Sequence, residues 1–122
     1  MGLDMGLVGC VGSNETELAY WRKANAIHNY FVEVVQNGND DCGSYVVSES
    51  DLNTLAEACK DVLANPDLAE SVLPTVGGFF FGSIEYDEGY MDDLKDTLVA
   101  VETALKFMQD NPNGEVRYWS SW

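Results

Sequence analysis

The spacing of apolar residues changes several times along the chain, and each change predicts an element. Leu3, Met5 and Leu7 alternate with Asp4, Gly6 and Val8, which predicts a strand over residues 2–9, broken by glycines before Ser13 and Asn14. From Thr16 onward a helical spacing takes over. Tyr20, Ala24, Ile27, Phe31 and Val34 fall within roughly 80° of one another on a helical wheel, so a first helix with that core face is expected to end before Asn37-Gly38. Residues 37–46 read as a polar loop. Ser48 then stands as an N-cap, with Asp51 three positions on and Val47 placed to staple Leu52. Leu52, Leu55, Ala56, Cys59, Val62 and Leu63 supply the apolar stripe of a second helix. Asn65-Pro66 ends it and opens a short helical turn that reaches Leu73 and closes at Pro74.

The run Gly77-Gly78-Phe79-Phe80-Phe81-Gly82 is too short for a helix and reads as a buried extended segment. Asp87 can cap a long helix in which Met91, Leu94, Leu98, Val101, Leu105 and Met108 recur at three and four residues until Asn111-Pro112-Asn113-Gly114 turns the chain. Val116 to Trp122 reads as a closing strand. No internal repeat, low-complexity tract or linker interrupts this pattern. The expectation is therefore a single α+β domain over residues 1–122, predominantly helical, with about four helices on a small sheet formed by the N- and C-terminal strands. The Phe79 to Phe81 segment is a further candidate for that sheet.

Composition narrows the function classes. The 122 residues, 46% hydrophobic and 11% aromatic, suit one core and exclude intrinsic disorder. Twenty-one acidic residues against six basic ones leave a formal charge of -15, which repels phosphate backbones and anionic lipid, so neither direct nucleic-acid binding nor membrane binding is expected. Cys10, Cys42 and Cys59 are far apart and form no Cys-x-x-Cys pair, which argues against a disulfide framework and against structural zinc, and fits a reducing cytoplasm. The first eleven residues are apolar but short, carry no basic region and contain Asp4, so they read as neither signal peptide nor membrane span.

The densest chemistry lies early in the chain. Arg22, Lys23 and His28 are three of the seven side chains able to carry positive charge, and Trp21 and Asn25 stand among them. On the helical wheel Trp21, Asn25 and His28 fall on one flank of the core stripe, Lys23 on the other, and Arg22 outward. An indole for stacking, an amide for edge hydrogen bonds and cations for phosphate would suit a nucleotide-like ligand. The competing reading makes Trp21 core, bonds His28 to a neighbouring carbonyl, and pairs Arg22 and Lys23 with the abundant carboxylates.

A second cluster holds Glu85, Asp87, Glu88, Asp92 and Asp93, with Asp96 beyond it, and would present a negative strip to a basic partner. Its competing reading is a helix start favoured by the macrodipole, followed by a solvated face. Asp40, Asp41, Cys42 and His28 lack metal-site spacing, so no metal and no cofactor are expected. For catalysis the single conventional base is His28, which could partner Cys42 or Cys59 only through tertiary contact, and no hydrolase, phosphate-loop or dinucleotide motif occurs. The aromatic residues Tyr118, Trp119 and Trp122 suit core or a homo-oligomer interface.

Several strings carry a resemblance: Met-Gly-Leu-Asp-Met at residues 1–5, Tyr-Trp-Arg-Lys-Ala-Asn-Ala-Ile-His at 20–28, Asp-Asp-Cys-Gly at 40–43, Gly-Phe-Phe-Phe-Gly-Ser at 78–83 followed by Glu-Tyr-Asp, and Ser-Ser-Trp at 120–122. Together these resemble a family of small uncharacterised bacteriophage and prophage proteins. The resemblance implies an accessory protein acting in the cytoplasm of a bacterial host, and it supplies no catalytic residues. The first functional expectation is a noncatalytic anti-defence protein that sequesters a small nucleotide-type signalling molecule through Trp21, Arg22, Lys23, Asn25 and His28. The second is an acidic, DNA-mimicking inhibitor of a host nuclease or other defence protein, acting through Glu85 to Asp93. The third is a small cytoplasmic hydrolase using His28.

Overall fold

The computed structural model describes residues 2–78 and 81–122. In chain order the elements are β1 (Asp4–Val11), β2 (Asn14–Arg22), α1 (Asn25–Val34), β3 (Ser44–Val47), α2 (Glu49–Ala64), a 3-10 turn (Pro66–Leu68), α3 (Ala69–Val72), α4 (Glu88–Asp110) and β4 (Glu115–Ser121). The four strands form one antiparallel sheet in the order β2-β1-β4-β3. The α+β architecture matches expectation, with the first and last strands paired from Asp4 opposite Ser121 to Cys10 opposite Glu115.

Alternation in β1 does what its pattern predicts. Leu3, Met5 and Leu7 are fully buried under the helices, joined by Val116 and Tyr118 from β4 and Val47 from β3. Phe31 and Ile27 of α1, Leu52, Leu55 and Cys59 of α2, and Leu94 and Val101 of α4 close the core above them. The helix boundaries follow their caps. Ser48 accepts from the Asp51 backbone N–H at 3.0 Å while the Asp51 carboxylate accepts from the Ser48 N–H at 3.1 Å, a reciprocal capping box. Asp87 accepts from the Tyr90 N–H at 3.1 Å and starts α4. Ser48→Ala should lower stability by about 1 kcal/mol, measurable as a shift in the urea midpoint at unchanged slope.

The largest departure concerns residues 14–22. They form a strand, and the helix begins only at Asn25. Gly12, at φ +60°, and Ser13 make the hairpin turn between β1 and β2, a conformation glycine adopts without steric cost. Tyr20, Ala24, Ile27 and Phe31 satisfy a helical spacing, but Ala19 and Trp21 also satisfy a strand's alternation. Pairing with β1 decides between the two. Tyr20 is accordingly 51% exposed and Val34 46% exposed, so neither belongs to the core face expected of them.

The expected loop over 37–46 likewise contains a strand, β3, whose one partner in the sheet is the distant β4. The buried stripe of α4 is rotated from the expected one. Tyr90, Thr97, Ala100 and Ala104 are buried with Leu94 and Val101, while Met91, Leu98, Leu105 and Met108 are half-buried, because small residues let the helix approach the sheet closely. Phe81 is buried in a bend outside the sheet, and the Phe79 and Phe80 part of that expectation lies outside the described residues.

Candidate functional site

The fold disperses the early cationic and aromatic group over three elements. Trp21, on β2, is 4% exposed, and its indole N–H donates to Thr97 Oγ1 at 3.0 Å, which makes it a core residue. Asn25 opens α1 and is buried. Its amide donates to the Phe81 and Ser83 carbonyls at 2.9 and 2.8 Å, and its carbonyl accepts from the Val76 N–H at 3.1 Å. This one side chain fastens the two ends of the glycine- and phenylalanine-rich segment to α1, which satisfies its donors and acceptor together.

His28 is fully buried between Phe81 and Tyr118. The Asp40 carboxylate accepts from Nε2 at 2.9 Å, so Nδ1 carries the lone pair and accepts from the Tyr118 hydroxyl at 2.5 Å. Burial holds the imidazole below its ordinary pKa, outweighing the opposing pull of Asp40. Burial also drives the Tyr118 hydroxyl well above the usual tyrosine range. Both ring nitrogens are engaged and the ring is sealed, so His28 offers no nitrogen to a substrate. The Cys59 thiol is buried and pushed up to about 12 by burial, and Cys42 is exposed.

Arg22 is exposed and pairs with Asp4 at 3.4 Å, and the Tyr20 hydroxyl donates to the same carboxylate. Lys23 behaves differently. It is held at φ 57°, a left-handed conformation costly for a residue with a side chain, and its backbone N–H donates to the Leu3 carbonyl at 2.8 Å. Its stem passes beside Gly82, where an added Cβ would lie 3.0 Å from Lys23 Cβ. Among the described residues Lys23 forms no ion pair.

Lys23 and Asn25 meet Glu85, Asp87 and Asp93 in a cleft of about 220 Å3 between the starts of α1 and α4. Thr75, Ser83 and Tyr90 add further polar groups to its lining. Members of the two clusters, separate in the sequence, are thus brought together, whereas Trp21, Arg22, His28, Glu88 and Asp92 lie outside the cleft. Asp93 is half-buried, and its carboxyl is raised from 3.8 to about 6, first by burial and then by the charges of Asp96, Asp92 and Asp87. Asp87 spends a carboxylate oxygen on the α4 cap. The α1 N-terminus has no side-chain cap and no acidic residue in its first turn, which leaves backbone donors beside Lys23.

Sequence reasoning missed Thr75, Ser83 and Tyr90. It placed Asp93 on a partner-binding acidic strip or, in the competing reading, a solvated face, although Tyr90, Asp93, Thr97 and Ala100 recur at three and four residues and so mark one stripe. No group of three or more His, Cys, Asp or Glu among the described residues is placed to hold a metal ion, and no described helix is long and apolar enough to cross a membrane. No family model, curated protein or solved structure matches the chain.

Proposed function

We propose that the protein is a noncatalytic binding protein of a bacteriophage or prophage, acting in the host cytoplasm, which sequesters a small nucleotide-type signalling molecule used in bacterial defence. The observation that carries this reading is the cleft in which a lysine without an ion pair among the described residues and a half-buried carboxyl of raised pKa occur together. Lys23 and the uncapped start of α1 suit a phosphate, and Asp93, Thr75 and Ser83 suit the hydroxyl and amino groups of a sugar or base. Glu85 and Asp87 at the same cleft disfavour a multiply charged triphosphate and favour one phosphate charge per contact.

Calorimetry with nucleoside monophosphates, cyclic mononucleotides and cyclic dinucleotides tests this. One class should bind, Lys23→Ala should weaken it by about tenfold or more, and Arg22→Ala should leave it unchanged, since Arg22 lies outside the cleft. Absence of binding across the whole panel would falsify the reading.

A specific observation favours the acidic-inhibitor alternative. Four of the six lysine and arginine side chains form ion pairs among the described residues: Arg22 with Asp4, Lys60 with Glu57, Lys106 with Asp110 and Arg117 with Glu115. The surplus acid, including exposed Glu88 and Asp92, is left to face outward. A basic host protein held by such a surface should dissociate as ionic strength rises, and retention that ignores salt would contradict this alternative.

A further inference from the structure

β2 is an edge strand of nine residues, whereas the opposite edge, β3, has four. A long edge exposes a row of backbone donors and acceptors, and proteins usually guard it with lysine, proline or a covering element. The stretch from Asn14 to Trp21 contains neither lysine nor proline, and among the described residues no strand pairs with its outer side. Its one irregularity is a bulge at Leu18, where Leu7 pairs with Ala19 and Val8 with Glu17.

Beside this edge lies a groove of about 250 Å3 between β2 and α4, lined by Leu18, Ala19, Tyr20, Trp21, Val99 and Ala100. Val99 is 64% exposed, an apolar side chain with nothing over it among the described residues. The charges around the edge are mostly acidic, the basic exceptions being Arg22 at the end of β2, which pairs with Asp4, and Lys95, four residues before Val99. Glu15 and Glu17 pair with Cys10 and Val8, which puts them on the sheet face away from the helices, and Asp92 and Asp96 share the helix stripe of Val99.

We propose that the outer edge of β2, with this groove, accepts an extended basic segment of a partner protein as a fifth strand. Backbone hydrogen bonds would supply the pairing. Because side chains of an added strand alternate between faces, apolar ones would enter the groove while lysine or arginine on the other face would reach Glu15 and Glu17. A second copy of this chain fits less well, since it would bring together two molecules that each carry a formal charge of -15. The inference stands independently of the nucleotide cleft, from which every groove residue is absent.

The test uses the full chain and a capped peptide, Lys-Val-Lys-Val-Lys-Val-Lys, with a second peptide of the same charge whose central valine is proline. Binding is followed by fluorescence anisotropy and by amide hydrogen exchange. The first peptide should bind, weaken as salt rises and slow exchange within residues 14–22, while the proline peptide should fail because it lacks a ladder donor. Val99→Arg, a change at an exposed position, should weaken binding by about tenfold while leaving nucleotide binding intact. The proposal is overturned if the first peptide does not bind, if both peptides bind alike, if protection falls elsewhere, if Val99→Arg has no effect, or if sedimentation reveals a dimer that buries β2.

Discussion

Replacing Phe31 by alanine removes about 4 kcal/mol of folding stability, a large share of what a domain of this size possesses. Phe31 is fully buried, stacks on Tyr118 with ring centroids 4.0 Å apart and planes 13° from parallel, and meets Tyr30 edge-on at 5.6 Å. Truncation leaves a cavity over the sheet and strips one face from the ring whose hydroxyl serves His28. Urea unfolding measures the effect. Tyr20→Ala is the informative companion, because a helix from Thr16 that ended before Asn37 would make it comparably costly. Half exposed on a strand, Tyr20 should cost less than about 1 kcal/mol, and a loss equal to that of Phe31→Ala would refute the observed register.

Asp93→Asn should raise stability at neutral pH while abolishing ligand capture in the cleft. The unfolded carboxyl ionises near 3.8 and the folded one near 6, so the folded state binds the proton more tightly. Stability from this group is therefore full below pH 3.8 and is lost as pH rises through about 6. A shift of about two units corresponds to about 3 kcal/mol at most, and partial solvent contact makes about 1 to 2 kcal/mol the working expectation. Denaturation of both proteins at about pH 3.5 and pH 7.5 isolates the term: the variant's advantage should appear only at the higher pH. An equal difference at both values would remove Asp93 from consideration as a strained site residue. A carboxyl retained where it costs stability is what a binding role would require.

Much of the fold was legible where local chemistry decides structure. Ser48 with Asp51, Asn65 with Pro66, and Asp87 each declared a helix start through a cap made within a few residues. The alternation of Leu3, Met5 and Leu7 declared β1. Residues 14–22 were illegible because so short a run satisfies two periods, and its partner strand makes the choice. Val46 looked like loop, and Val47 only like a staple for the next helix, because their pairing lies about seventy residues downstream, at Arg117 and Val116. The cleft was half legible. Both of its clusters stood out in the sequence, but their meeting depends on Asn25 binding the backbone of Val76, Phe81 and Ser83, and no spacing announces those contacts.

The position of β4 between β1 and β3 bears on how the molecule assembles. The β1–β2 hairpin can form early from neighbouring residues, whereas Ser44–Val47 stays without its ladder until Glu115–Ser121 arrives and bridges it to Asp4–Val11. Side-chain links close equally long intervals, with Trp21 reaching Thr97 and His28 reaching Tyr118 across 76 and 90 positions. A chain wired this way is expected to fold slowly, with the docking of the last strand as its expected rate-limiting event.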